Sequence, residues 1–421
     1  MTFENIIQTI ISILNEPNIY PNDDLPSIYQ FTYSRNIKTE EDLKSNKLRN
    51  NPSISLIGED KINRYIEQFK SLYKIMDINK YHLSFDKFKK LVEQYFFERE
   101  IKKEKIIEEI KLVNHSPVIN IARIYGVKLN INELRFGKYL LINKNYMLEY
   151  LELQTEYPQD DKWYNSTKEY FENHAKDIKD FVYCICVYEA RDIEYANELF
   201  VKDKTIFINI LRYMMGIKHK RVYVDHIKFT DYSTDTIQIK NKKISQGRSL
   251  EFKDISIELN DEFFLSKENS NYYVWEITNK SNYNKLEKKI LRAIEWIGIS
   301  VSELNNEIAC TEVAFAFEAL LRIDESRTPI TSSIQGRISD MVAFIIGNNY
   351  EERMKIIKTF TDFYSYRSAV AHGGETSKQG NYFEYLYLFK NTLKEILTNK
   401  EFKDCKSIEQ LDEKIKKIKY K

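Results

Sequence analysis

Cysteine is scarce: four in 421 residues cannot build a disulfide framework. Two of them, Cys184 and Cys186, alternate inside the apolar run Phe181-Val182-Tyr183-Cys184-Ile185-Cys186-Val187-Tyr188, so they read as same-face residues of a strand. No second Cys/His pair stands at ligand spacing, so neither a metal nor a cofactor is expected. Glycine loops that cradle phosphate are missing, and so are paired metal-ligand motifs and serine or cysteine nucleophile motifs. No apolar run approaches the length that crosses a bilayer, which argues against a membrane partner. The N-terminal segment has an apolar stripe, but Glu4 comes early and neither a basic leader nor a small-residue cleavage site is present. It reads as a helix and not a signal peptide, and a cytoplasmic location is expected. Charge of one sign is lacking too. The 64 basic and 63 acidic residues leave +1, so any nucleic-acid site must be a local patch. The richest basic stretch, residues 414–421, is able to touch phosphates. It reads better as the polar face of a last helix starting near Ser407.

What is present is enough apolar residue for real cores, 43% of the chain, over a length that suggests two to four domains. The expected fold class is multidomain α+β. Residues 1–115 read as mostly helical, with helical periodicity over 62–73 and 85–110 and charged outer faces taken as solvated. His82 and His115 fall in expected loops without a nameable partner. Residues 116–265 read as an α/β middle domain, a candidate sensor or regulatory region. Strands are expected at 118–125, 127–131, 139–142 and 181–188, punctuated by Gly126 and Gly137, with a helix over 193–215 and β hairpins over 221–259. The polar stretch 266–283 reads as a joint, although Tyr273-Val274-Trp275 inside it must be buried somewhere.

Residues 280–421 read as an all-α bundle with a basic tail. Apolar stripes predict helices at 285–303, 306–323, 333–346, 350–372 and 381–398, with Pro329 as a breaker and Thr331 or Ser332 as a cap. The fourth of these carries Arg367 and His372, five positions apart, followed by Gly373-Gly374 as a helix stop. Five residues of helix amount to a rise of roughly 7.5 Å and a turn of about 140°, so the two side chains border one cleft without stacking on one face. An arginine holds phosphate through two parallel N–H donors. A histidine accepts or gives a proton near neutral pH. By spacing alone such a pair is also compatible with a surface arginine and a capping histidine.

The order of three blocks adds to the pair. Phe317-Glu318-Ala319-Leu320-Leu321, Gly336-Arg337-Ile338 and Tyr364-Ser365-Tyr366-Arg367-Ser368-Ala369-Val370-Ala371-His372-Gly373 resemble, in sequence and spacing, the HEPN superfamily and its Apea-like branch. The resemblance spans about residues 285–400, under a third of the chain. It implies a metal-independent endoribonuclease of toxin and phage-defence (abortive-infection) systems, with RNA as substrate, a homodimer with a composite active site and a phage-derived trigger. It places Arg367 and His372 in the catalytic pair and Ser368 at the polar position that follows the arginine. Ser368 then bonds either a phosphate oxygen or its own helix backbone. Glu318 falls on an acidic position of the family, where a structural ion pair is the favoured role. Members that have lost the pair are binding modules, so a non-catalytic module that binds RNA or a protein is the alternative.

Overall fold

The structure is a computed structural model. It describes residues 2–18, 27–32, 53–97, 101–154, 162–176, 180–215, 234–240, 243–249, 257–259, 262, 265–268, 270–303, 305–323, 334–372 and 380–420. Helices and small sheets are mixed, as expected for an α+β chain. By backbone contacts the chain forms two units, Met1–Asn120 with Val187–Lys202, and Ile121–Cys186 with Asp203–Lys421.

The first unit opens with α1 (Phe3–Asn15), whose N-terminal N–H of Asn5 is taken by the Thr2 hydroxyl. Its stripe Phe3, Ile6, Ile7, Ile10 and Ile13 is buried. Strands β1 (Ile28–Thr32) and β2 (Ser53–Ile57) pair antiparallel, Ile28 opposite Ile57. Helices α2 (Glu59–Ile75), α3 (Phe85–Tyr95) and α4 (Lys103–Leu112) complete the core, which gathers Tyr65, Phe69, Leu72, Phe88, Val92, Ile106 and Ile110. The span 85–110 is therefore two helices and not one. Tyr95 and Ile106 are eleven residues apart, about three turns, so the apolar stripe stays in phase across the break and periodicity does not reveal it. The charged faces are also not all solvated. Lys89 and Glu93 are buried, with Glu93 accepting the hydroxyls of Tyr29 and Tyr65. Burial raises the carboxyl of Glu93 above the usual range, and those two donors oppose the rise.

Strands β5 (Glu133–Phe136), β6 (Tyr139–Asn143) and β7 (Phe181–Ala190) form an antiparallel meander, and β3 (Ser116–Tyr125) flanks β7; β5 and β6 belong to the second unit, as do β3 from Ile121 and β7 up to Cys186. Gly137 makes the β5–β6 turn with a positive φ of 59°, the backbone that favours glycine. A short parallel pair joins β4 (Val127–Lys128) to β10 (Ile257–Glu258), and β8 (Thr234–Lys240) pairs antiparallel with β9 (Lys243–Ser249). The expected strand residues at 221–227 lie outside the described residues. Helices α5 (Met147–Gln154) and α6 (Lys162–Ala175) precede β7, and α7 spans Ile193–Met215. The polar joint is itself helical over α8 (Asn271–Thr278), which buries Val274 and Ile277.

Six further helices follow: α9 (Lys285–Ser302), α10 (Asn306–Leu321), α11 (Ile334–Ile346), α12 (Tyr350–Ala371), α13 (Tyr382–Thr398) and α14 (Ile408–Lys419). Asparagine or serine side chains accept N–H groups in the first turn of five of them, at Asn284, Asn305, Asn349, Asn381 and Ser407. Each such cap is typically worth about 1 kcal/mol. Helix α10 is central and packs on α9, α11, α12 and α13. Its Phe317 meets Phe360 and Phe363 of α12 and Phe389 of α13, all edge-on and with ring centroids 4.9, 6.2 and 5.2 Å away. The basic tail is the expected last helix. Ile408, Leu411 and Ile415 are buried, Lys419 binds Asp340 at 2.6 Å, and Arg337 binds Asp412 at 3.1 Å.

Candidate active site

Helix α12 turns only its C-terminal half inward, burying Phe360, Phe363, Tyr364 and Tyr366. Those rings fix the azimuth of the last turns, and with it the direction of Arg367 and His372. The helix runs unbroken to Ala371 and His372 is its C-cap, its backbone N–H donating to the Ser368 carbonyl at 3.1 Å. Gly373-Gly374 lies outside the described residues. The chain is pinned again at Gly380, whose backbone is pressed against the Tyr366 ring. A Cβ there would lie 2.4 Å from that ring, and the Asn306 amide donates to the Gly380 carbonyl at 3.0 Å. The return of the chain to α13 is thus anchored beside the residue that precedes Arg367.

Arg367 is partly exposed. Its guanidinium faces Glu318 of α10, with Nη2 3.7 Å from Oε1, and lies 5.4 Å from the Phe315 ring centre. The hydroxyl of Tyr364 donates to the same Glu318 oxygen at 3.4 Å. Burial pushes the Tyr364 phenol well up, and the carboxylate of Glu318 adds to this. The Nε–H of Arg367 is buried and meets no acceptor among the described residues, so the fold leaves part of its donor set unsatisfied. The side chains of both ion-pair partners retain about a quarter of their exposure, 27% and 23%, which keeps the pair weak and displaceable.

His372 and Ser368 are exposed. The Ser368 hydroxyl does not bond the carbonyl four residues back, whereas Thr361 and Ser365 of the same helix both do, at 2.9 Å each. Its second expected role, as a backbone bond, is therefore not taken up here. No hydrogen bond or ion pair joins Arg367 to His372 among the described residues. The two share one helix end, and each is reachable from solvent. The ion pair expected of Glu318 is present, but sequence reasoning did not name Arg367 as its partner and missed Phe315. The signal was available, since Glu318 stands one turn before the end of the helix that packs on α12.

Elsewhere, all four cysteines are free and buried, and burial raises the Cys184 thiol. No helix of the described residues is long and apolar enough to cross a membrane. Comparison of the chain with protein-family models, curated proteins and solved structures gives no match.

Proposed function

We propose that this chain is a metal-independent endoribonuclease of the HEPN kind, a toxin or abortive-infection effector directed against phage. The observation that carries the reading is the joint position of Arg367 and His372 at the solvent-facing end of α12, with Ser368 exposed between them. In RNA the 2′-oxygen attacks the adjacent phosphorus, its proton passes to a base, and the P–O5′ bond breaks as an acid protonates the departing 5′-oxygen. Arg367 stabilises the charge that builds on the phosphorane oxygens, after phosphate displaces Glu318. Base and acid stand on opposite sides of the phosphorus, so one His372 does not fill both roles. A homodimer about a two-fold axis supplies the second. The products carry a 2′,3′-cyclic phosphate and a 5′-hydroxyl. Residues 1–265 then sense a trigger or restrain the nuclease, because an unrestrained ribonuclease poisons its host.

The test is RNA cleavage by the full chain in EDTA. His372→Ala is expected to slow it by about 10²–10⁴-fold and Arg367→Ala by about 10²–10³-fold. Both should relieve growth arrest in a bacterial host. A His372→Ala protein that cleaves at the parent rate removes the assignment, and so does loss of parent activity in EDTA. A second reading is favoured by one observation, the engagement of Arg367 by Glu318: a non-catalytic module that binds RNA or a protein through the same face. It predicts binding without cleavage and no growth arrest.

A further inference from the structure

The two histidines that sequence reading leaves without partners face each other. Nδ1 of His82 lies 3.0 Å from Nε2 of His115, and the contact is solvent-exposed. Both rings belong to the first unit. We propose that His82 and His115 form a two-histidine site for a divalent first-row transition cation, zinc foremost, with water completing its coordination.

The geometry is close to that of a chelate. Metal–nitrogen bonds of about 2.0–2.1 Å in a tetrahedral site put two imidazole nitrogens roughly 3.3 Å apart. The pair needs to part by only a few tenths of an ångström. As a hydrogen bond, one of the two nitrogens carries a proton. As a chelate both present lone pairs, so that proton moves to the other nitrogen of its own ring and no net proton is released from a neutral pair. Imidazole suits zinc, nickel and copper, whereas magnesium and calcium prefer oxygen.

The site is built and held. His82 has a positive φ of 55° at the end of the short 3₁₀ turn Ile78–Tyr81, where its N–H donates to the Asn79 carbonyl at 3.0 Å. Its carbonyl accepts the Arg191 N–H at 2.9 Å. Its ring lies parallel to Tyr195, 5° between planes, and the Tyr195 hydroxyl is tied to the Asn79 carbonyl at 3.3 Å. The His115 side is stapled by the Arg191 guanidinium, which donates to the carbonyls of Lys111 and Val113. That cation is engaged by carbonyls and does not replace a metal at the pair. Asp192 caps α7 through Tyr195 and also accepts the Ser84 N–H at 2.9 Å, so it orients the frame and does not itself ligate.

No group of three or more His, Cys, Asp or Glu among the described residues is arranged to hold a metal. The pair therefore contributes two ligands and leaves open positions toward solvent. A bound cation clamps the turn at residue 82 to the segment that leads into β3 at residue 115.

The experiment is titration of the untagged full chain with zinc, then nickel, by calorimetry, alongside thermal melts. The parent protein should take up zinc at a histidine-dependent site with a rise in Tm. His82→Asn and His115→Gln should each abolish that uptake and that rise. Asparagine tolerates the left-handed backbone at 82, so the turn survives the change. Magnesium should produce neither effect, and His372→Ala should bind zinc like the parent. Absence of zinc uptake, or uptake and Tm rise unchanged in both histidine variants, overturns the proposal. The outcome is independent of RNA cleavage.

Discussion

Replacing Lys390 by methionine should stabilise the protein at neutral pH. Lys390 lies on α13 among apolar neighbours with 4% exposure, and its ammonium nitrogen has no hydrogen-bond partner among the described residues. Among the described residues a compensating contact is the ring of Tyr213, 4.6 Å from it. Burial lowers its pKa from 10.5 to about 7. At 1.36 kcal/mol per pKa unit that gap amounts to about 5 kcal/mol against the charged folded form. Attraction to the ring offsets on the order of 1–2 kcal/mol, leaving about 3 kcal/mol. The sign follows from proton binding. Between about pH 7 and pH 10.5 the unfolded chain keeps the proton that the folded chain sheds, so the parent gains stability as pH rises through that window. Lys390→Met removes the dependence. Its advantage should be near 3 kcal/mol at pH 7 and should fade toward zero by about pH 10.5. Urea unfolding followed by tryptophan fluorescence reads this directly, because Trp163, Trp275 and Trp296 all belong to the same unit as Lys390. A variant less stable than the parent at pH 7, or an equal gain at pH 7 and pH 9.5, refutes the reasoning.

Gly298 of α9 packs directly on α7, where an added Cβ would lie 2.2 Å from the Asn209 carbonyl oxygen. Gly298→Ala should cost roughly 2 kcal/mol or more despite alanine's better helix propensity, and an unchanged Tm in calorimetry contradicts this. Glu318→Gln keeps an acceptor for Tyr364 and removes the charge facing Arg367. It should lower stability by no more than about 1 kcal/mol and tighten RNA binding in a filter assay, whereas weaker binding would argue that the carboxylate positions the arginine. Ser368→Ala should leave the urea midpoint unchanged, since the hydroxyl makes no hydrogen bond among the described residues. A drop in cleavage rate on that background assigns the hydroxyl to the substrate.

Most of the C-terminal helices were readable because five of the six carry a capping side chain at the start, where the sequence pattern also begins. Asn284, Asn349 and Ser407 mark such starts within a residue of where the stripes begin. The end of α12 at His372 was readable from the Gly373-Gly374 that follows it in sequence. Three features were not readable. The break between α3 and α4 keeps the helical phase, so no periodic signal marks it. Helix α8 is a short element inside a polar stretch and buries only one side. The meeting of His82 with His115, and of Lys390 with Tyr213, depends on tertiary approach between residues far apart in sequence, which local pattern does not encode.

The order in which the chain visits its two units limits how it can be dissected. It passes between them three times, after residues 120, 186 and 202. No single cut frees either one. Excising residues 1–265 to expose the α12 end also discards Asn209 and Tyr213, and with them the surfaces that receive Gly298 and Lys390. A fragment made that way begins with two unfilled seams, so its toxicity reports on folding as much as on release from restraint. Point substitutions in the intact chain are the cleaner instrument.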